Sequence, residues 1–169
     1  AIAYGLHEKP EHTQFMVVDL GGGTFDVSIM EYFDGVLEVH ASAGDNFLGG
    51  EDFRELLVNK FLTSLNLTKQ SISAQDLQKV YAQMEQVKRQ LNNVDIVHVE
   101  PFFAAQTKII SLYKEDFIQL AEPLLQRIQR PIETALRDAK LKPSEMDEVI
   151  LVGGATRMQF FRSMIAKMF

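Results

Sequence analysis

The chain lacks cysteine, long apolar runs and any block of basic residues. Without cysteine, the 169-residue chain can form neither disulfide bonds nor thiolate metal sites. No apolar run reaches the length of a membrane span, and no signal peptide is visible. The net charge of −6 and the missing basic stripe argue against binding to a nucleic-acid backbone. We expect a cytoplasmic protein that binds neither nucleic acid nor membrane.

Histidines are few, and they are scattered without the spacing of metal ligands. They are His7, His12, His40 and His98. A zinc site would need distant residues to converge, so we interpret them as surface or structural side chains. Both ends of the chain look cut, because residue 1 is not methionine and the last residue stands inside an apolar helical pattern. We therefore expect a fragment of a longer protein.

The first half of the sequence predicts a β-rich start followed by two helices. Three strands are predicted at about 15–20, 25–31 and 36–43, with a tight hairpin at Asp34-Gly35. A helix follows Gly49-Gly50, because apolar residues recur there at helical spacing. Ser73 is placed as the N-cap of the next helix.

The second half predicts two strands, a long helical region, a further strand and a last helix. Pro101 argues for a sheet edge in the strand at 94–103, which is followed by a strand at 107–112. Pro123 and Pro131 are expected to kink or split the helical pattern at 114–140. The apolar strand at 149–152 is of the kind covered on both faces, and a helix is predicted over 155–169.

The most informative segment is the glycine-rich turn 21–24 between the first two strands. Its amides can form a concave anion site, and Thr24 supplies a hydroxyl for a terminal phosphoryl group. Asp19 and Asp26 flank the turn, so their carboxylates should meet at one sheet end and suit a hydrated Mg²⁺. A strand rather than a helix follows, and no Gly-Lys-Ser/Thr occurs, which excludes a Rossmann fingerprint and a P-loop. The segment predicts a nucleotide-phosphate site.

Three further patterns each have a functional and a structural interpretation. Gly49-Gly50 before a helix would leave amides free at the positive end of its dipole, but alone this pattern favours a flexible helix start with acidic residues in the first turn. Glu85, Lys88, Arg89 and Asn92 have the spacing of one helix face. They could contact a sugar and a purine, although spacing alone favours a solvated face with ion pairs. The double glycine after the strand at 149–152 fits either close approach of a flat ligand, with Arg157 over its ring, or a tight turn.

Taken in order, these patterns resemble the nucleotide-binding domain of DnaK-type (heat-shock cognate) chaperones, within the actin-like ATPase superfamily. Residues 19–26 are similar to the family's second phosphate motif, and residues 151–157 to its adenosine motif. Residues 44–53 and 135–139 also look like family signatures. The stretch 41–47 looks most like the HscC branch. The resemblance covers essentially the whole chain.

The resemblance implies a fold class and a domain organisation. The fold would be α/β, namely lobe II of an actin-like (ribonuclease H-like) ATPase, with a mixed sheet, helices and an inserted α+β subdomain. Subdomain IIA would comprise residues 1–49 and 114–169, and subdomain IIB residues 50–113. The cofactors implied are ATP or ADP with Mg²⁺. The implied partners are the other ATPase lobe, a peptide-binding domain, J-domain cochaperones and nucleotide-exchange factors.

The resemblance also implies a role for individual residues, position by position. Asp19, Thr24 and Asp26 would take part in catalysis, with both aspartates around a hydrated Mg²⁺ and the attacking water. Nucleotide contacts would come from Gly21, Gly22, Gly23, Thr24, Gly50, Glu85, Lys88, Arg89, Asn92, Gly153, Gly154, Ala155 and Arg157. The family usually has serine in place of Asn92, commonly serine in place of Ala155, and Ile-Pro in place of Met158-Gln159.

Three functions follow as expectations. The family's first phosphate loop, its catalytic lysine and a further carboxylate belong to the other lobe, so this chain should bind nucleotide weakly and hydrolyse almost none. Alternatively, the chain is a docking module, because exchange factors bind subdomain IIB in this family. A sugar kinase of the same superfamily would share the turn but not Glu85–Arg89 and Gly-Gly-Glu-Asp in this order.

Overall fold

The computed structural model describes residues 10–102 and 109–169, which contain six strands and four α-helices. The strands are β1 (Thr13–Leu20), β2 (Phe25–Phe33), β3 (Val36–Asp45), β4 (Ile96–Val99), β5 (Ile110–Tyr113) and β6 (Glu148–Val152). The helices are α1 (Gly50–Ser64), α2 (Ala74–Gln90), α3 (Lys114–Ala139) and α4 (Gln159–Met168). Backbone contacts divide the chain into a first unit, residues 1–50 with 124–169, and a second unit, residues 51–123. The subdomain boundaries expected from the family resemblance stay a prediction.

The first unit contains a mixed four-stranded sheet in the order β3-β2-β1-β6. The first three strands are antiparallel neighbours, whereas β6 runs parallel to β1. The hairpin predicted at Asp34-Gly35 is confirmed, with φ angles of 49° and 74° that fit the primed turns favoured in two-residue hairpins. The three strands predicted at the start of the chain are confirmed with slightly longer bounds.

Alternation along β1 and β2 separates a core face from a second, more exposed face. The buried cross-strand pairs are Met16 with Ile29, Val18 with Val27, and Leu20 with Phe25. Because successive side chains point to opposite faces of a sheet, Asp19 and Asp26 share the other face. Asp19 is half-buried and Asp26 is exposed. Because the apolar side chains of β1 and β2 occupy the buried face of the sheet, the two carboxylates lie together on its more exposed face.

The strand β6 is less covered than its sequence predicted. All five of its residues are half-buried rather than buried. The reason is its position, because among the described strands β6 pairs only with β1 and so forms one edge of the sheet. The prediction of a strand covered on both faces was wrong.

The second unit combines α1 and α2 with the antiparallel pair β4–β5. Ser73 caps α2 as predicted, since its Oγ accepts a hydrogen bond from the Asp76 amide at 3.1 Å. Strand β4 is shorter than predicted, and Pro101 lies beyond its end, where it cannot interrupt the ladder. The predicted strand residues Phe103, Thr107 and Lys108 lie outside the described residues.

Of two predictions about helix continuity, one was wrong: the last helix does not run continuously over residues 155–169. Helix α3 runs unbroken through Pro123 and Pro131, so it is not split, while a kink at either proline stays a prediction. An interior proline costs about 3 kcal/mol, and burial of apolar side chains along the helix offsets this cost, as Phe117 and Ile132 show. The last helix is interrupted instead, because Met158 is extended between a 3₁₀ turn at Gly154–Arg157 and α4.

Two of the histidines meet one carboxylate in the first unit. His12 Nδ1 lies 3.0 Å from Glu31 Oε1, and His40 Nε2 lies 2.9 Å from Glu31 Oε2. His40 is the extra residue of a β-bulge in β3, because Val39 and Ala41 pair with consecutive residues of β2. Hydrogen bonds with the two imidazoles hold the pKa of Glu31 below its usual range. The interpretation as structural histidines is confirmed for these two, whereas His7 lies outside the described residues.

Candidate functional site

The glycine turn joins β1 to β2 with the two aspartates directly opposite each other. Asp19 pairs with Asp26, and the Gly21 amide donates to the Thr24 carbonyl oxygen at 3.0 Å to close the turn. Gly22, Gly23 and Thr24 are exposed. Their peptide groups and the Thr24 hydroxyl therefore lie at the surface beside two carboxylates, as an anion-and-cation site requires.

Position 49, beside this turn, requires glycine because the backbone of the turn lies very close to it. None of the turn's three glycines has a positive φ. A Cβ at Gly49 would overlap the carbonyl group of Gly22 and the amide of Gly23. The next residue, Gly50, begins α1 and donates its amide to the Gly21 carbonyl oxygen at 2.8 Å. Gly50 thus lies beside the turn, but its amide is used within the protein and is not free for a ligand, and its predicted position near the nucleotide stays a prediction.

The residues after β6 reach the same end of the sheet. Asp19 pairs with Val152 in the parallel β1–β6 ladder, and Gly153 follows with φ of 92°. A Cβ at Gly153 would overlap the Leu20 carbonyl and come within 2.8 Å of Asp19 Oδ1. In α/β sheets, ligands bind outside the carboxyl ends of parallel strands. The turn, Asp19 and Gly153 therefore share the edge where a ligand is expected.

The 3₁₀ turn after Gly153 is held by its own side chains. Thr156 is buried and donates from Oγ1 to the Gly153 carbonyl oxygen at 2.7 Å. Gly154 and Arg157 are exposed, whereas Ala155 is buried. Gly154 and Arg157 are thus accessible to a ligand, while Ala155 could contribute little beyond its backbone.

The two aspartates fit a hydrated Mg²⁺ better than a directly ligated metal. In residues 10–102 and 109–169, no three histidine, aspartate or glutamate side chains are grouped to hold a metal ion. Two opposed carboxylates repel each other, and Mg²⁺ usually keeps several waters while bridging one or two carboxylates to phosphate. Gly44 lies opposite Asp26 and leaves room for its carboxylate, since a Cβ at position 44 would come within 2.9 Å of Asp26 Oδ1. The donor set is therefore compatible with Mg²⁺ held through water.

The remaining predicted residues form a charged group in the second unit. Glu85 Oε2 lies 2.8 Å from Lys88 Nζ, and Glu85 Oε1 lies 3.1 Å from Arg89 Nε. Partial burial tends to raise the pKa of Glu85, but the Lys88 bond and charge, with those of Arg89, hold the pKa below its usual range. Lys88 is buried, whereas the Arg89 side chain is 77% exposed. The group is an ion-paired cluster with one buried cation and one accessible guanidinium.

Asn92 departs from the predicted helix face. Helix α2 ends at Gln90, and Asn92 lies in the following turn, where its amide donates to the Arg89 carbonyl oxygen at 3.3 Å. The i, i+7 spacing places Asn92 on the same helix face as Glu85 only if α2 continues to residue 92. Because α2 ends earlier, that prediction was wrong for Asn92. Its side chain is half-buried.

Sequence reasoning missed an ion pair that supports the loop before α1. Arg127 Nη2 donates to Asp45 Oδ2 at 2.7 Å. The two residues are separated by 82 positions, so no local pattern connects them. The only available signal was an arginine on the half-buried side of a long amphipathic helix.

Comparisons with known proteins agree on one family. The family model described as "Hsp70 protein" matches residues 1–169. A chaperone protein dnaK3 from Thermosynechococcus vestitus is 42% identical over 178 positions, covering 99% of this chain and 26% of the relative. A chaperone protein DnaK 1 from Synechococcus sp. is 40% identical over 181 positions, covering 99% of this chain and 24% of the relative. The chain spans about a quarter of the length of these relatives. In the part of the chain that the structure describes, no helix has the length and apolar character to cross a membrane.

Proposed function

The chain belongs to the Hsp70 family, and on that premise we propose that it is a lobe that binds ATP or ADP together with Mg²⁺. The strongest support is the pairing of Asp19 with Asp26 across a glycine turn at the carboxyl ends of β1 and β6. Few arrangements bring exposed peptide groups, a hydroxyl and two carboxylates to one sheet edge. A phosphate group together with a hydrated cation can interact with the peptide groups, the hydroxyl and both carboxylates.

Each group at this edge has a proposed task. The amides of Gly22 and Gly23 and the Thr24 hydroxyl hold phosphate oxygens, whereas the Gly21 amide, which was also predicted to do so, closes the turn by donating to the Thr24 carbonyl oxygen. Asp19 and Asp26 accept hydrogen bonds from waters of the cation and orient the attacking water. A hydrated Mg²⁺ held by these two carboxylates would offset phosphate charge. The exposed residues Gly154 and Arg157 contact the base.

The ion-paired cluster of α2 is proposed to bind the adenosine part of the nucleotide. Arg89 is accessible and can stack its planar guanidinium on a purine. Lys88 is buried against Glu85, so it orients the carboxylate toward hydroxyl donors rather than meeting solvent itself. Asn92 follows in the turn and could add an amide contact.

The isolated chain is proposed to bind nucleotide weakly and to hydrolyse almost none. Phosphoryl transfer depends on positioning and charge stabilisation, and the family's first phosphate loop and catalytic lysine belong to the other lobe. In the complete protein we propose an ATPase that drives a chaperone cycle in the cytoplasm. Its partners would be the other lobe, a peptide-binding domain, J-domain cochaperones and exchange factors.

One observation in the second unit favours partner docking as a second candidate. An open groove of about 950 Å³ is lined by residues that include Asp95, Ile96, Tyr113 and Glu115. Ile96 and Tyr113 are large apolar side chains that stay exposed there. Exposed apolar residues with a charged rim are typical of protein-binding surfaces. In this alternative the chain acts by binding an exchange factor and not by binding nucleotide.

A titration with fluorescent ADP, with and without Mg²⁺, separates the two candidates. The wild-type chain should bind, and Mg²⁺ should strengthen binding. Arg89→Ala should weaken binding by about tenfold or more, the loss of about 1.4 kcal/mol. Lys79→Ala is the matched control, because it removes one exposed positive charge from the same helix.

Three possible results of binding and turnover measurements would each count against a different part of the proposal. No detectable ADP binding by the wild-type chain would favour the docking function. Equal losses in Arg89→Ala and Lys79→Ala would mean that only net charge matters and would contradict the adenosine role of Arg89. ATP turnover near that of a complete ATPase domain would refute the proposal that the isolated chain is inactive.

A further inference from the structure

Arg127 of α3 holds the first part of the loop that connects β3 to α1. Its Nη2 donates to Asp45 Oδ2 at 2.7 Å and to the Phe47 carbonyl oxygen at 3.3 Å. Asp45 Oδ1 in turn accepts a hydrogen bond from the Phe47 amide at 2.9 Å. One guanidinium thus fixes both the carboxylate at the start of the loop and a peptide group within it.

The far end of the same loop contacts the glycine turn. Leu48 is fully buried, and Gly49 lies against the backbone of Gly22. The Gly50 amide then donates to the Gly21 carbonyl oxygen at 2.8 Å. Only residues 46–49 lie between Asp45 and Gly50. Because this segment is short, a displacement of Asp45 also moves the backbone that contacts the glycine turn.

Burial holds Leu48 but not Phe47, the residue before it in this loop. Phe47 is 83% exposed, so its position depends on hydrogen bonds from its backbone to Asp45 and Arg127. The Phe47 amide holds the pKa of the Asp45 carboxyl below its usual range, partial burial opposes this, and Arg127 adds to the lowering. The Asp45 carboxylate is therefore charged near neutral pH and able to pair with Arg127.

The ion pair itself adds little to global stability. The Arg127 side chain is 41% exposed and that of Asp45 is 24% exposed, and partly exposed pairs are screened by water and salt. Loss of the pair should therefore leave the chain folded. Its effect on the position of the loop can then be measured apart from unfolding.

We propose that Arg127 is a positioning residue for the phosphate turn, acting through Asp45 and the loop 46–49 on Gly49 and Gly50. The proposal rests on the nucleotide-binding function proposed above, and it specifies which part of the affinity Arg127 controls. Arg127 sets the binding of phosphates and not of the adenosine group.

The test compares ADP with adenosine on the 169-residue chain. Arg127→Ala should weaken ADP binding by about tenfold while adenosine, measured by competition, binds as before. Arg127→Lys retains a positive charge and should recover part of the loss. Arg130→Ala is the matched control, because Arg130 is exposed on the same helix and lines, together with Arg127 and Asp45, a small open groove of about 320 Å³. It should leave both affinities unchanged.

A second measurement does not depend on nucleotide. Hydrogen exchange of the Gly50 amide, followed by NMR, should accelerate in Arg127→Ala and not in Arg130→Ala, since the bond to Gly21 loses its support. If the wild-type chain does not bind ADP, the proposed nucleotide-binding function is wrong. Hydrogen exchange at the Gly50 amide still tests whether Arg127 positions the loop. Unchanged exchange at Gly50, or equal losses for ADP and adenosine, would overturn the inference.

Discussion

The backbone of Gly22 lies so close to Gly49 that position 49 has no room for a side chain. The two residues are neighbours only because the chain returns to the turn after β3. The contact joins the start of α1 to the proposed phosphate turn. Space around Gly49, and not its φ angle, therefore explains why glycine stands there.

Gly49→Ala should destabilise the chain by about 1–3 kcal/mol, the usual cost of forcing extra volume into a packed site. The added methyl group must push away the peptide between Gly22 and Gly23. Urea denaturation followed by circular dichroism measures the loss. Gly23→Ala is the control, because a Cβ there meets nothing within 4 Å. Equal stability of the two variants would show that the close contact is not rigid.

Gly153→Ala should cost more than about 2 kcal/mol, because two effects add. The φ of 92° is strained for any residue with a Cβ, and the Cβ would overlap the Leu20 carbonyl. Gly154→Ala, with open space around its Cβ, should change the free energy of unfolding by less than about 0.5 kcal/mol. A small effect at Gly153 would mean that the turn after β6 can relax.

Asp26→Asn should stabilise the nucleotide-free chain by about 0.2–1 kcal/mol, because it relieves repulsion between two opposed carboxylates. The same change should remove the gain in ADP affinity that Mg²⁺ provides. Thermal unfolding without Mg²⁺ and ADP titration with it report the two effects. Asp34→Asn removes one charge from an exposed hairpin turn and should do neither. A Mg²⁺ effect that persists in Asp26→Asn would contradict the cation site.

Acid should weaken the Glu85 cluster. The pKa of Glu85 in the folded chain lies below its usual value, so its contribution to stability is complete at pH values above that usual pKa. The contribution is lost as the pH falls through the lowered folded pKa. In urea denaturation from pH 7 to pH 3, Glu85→Gln should therefore lose less stability than the wild type. Glu133→Gln, an exposed residue of α3, should follow the wild type.

Local patterns in the sequence predicted much of the fold. The family match confirms the DnaK-type resemblance and the actin-like ATPase fold class. The strand-like segments at 15–20 and 25–31 predicted β1 and β2, and the Asp34-Gly35 turn follows from the backbone preferences of those two residues. The site residues and the likeness to the HscC branch stay predictions.

Contacts between distant residues could not be read from the sequence. Arg127 and Asp45 meet only because β3 and the part of α3 from Leu124 onward belong to one unit. His12 and His40 converge on Glu31 through the register of three strands and a bulge. Asn92 was misplaced because nothing in its spacing shows where α2 ends.

The close contacts of Gly49 and Gly153 have a consequence for selective inhibitors. At these positions the proposed pocket is bordered by peptide groups, which are chemically identical in every protein with glycine there. A compound that contacts only this main chain would not distinguish one chaperone of the family from another. Selectivity would have to come from side chains that depart from the family pattern, and Asn92, where the family usually has serine, is the candidate this chain offers.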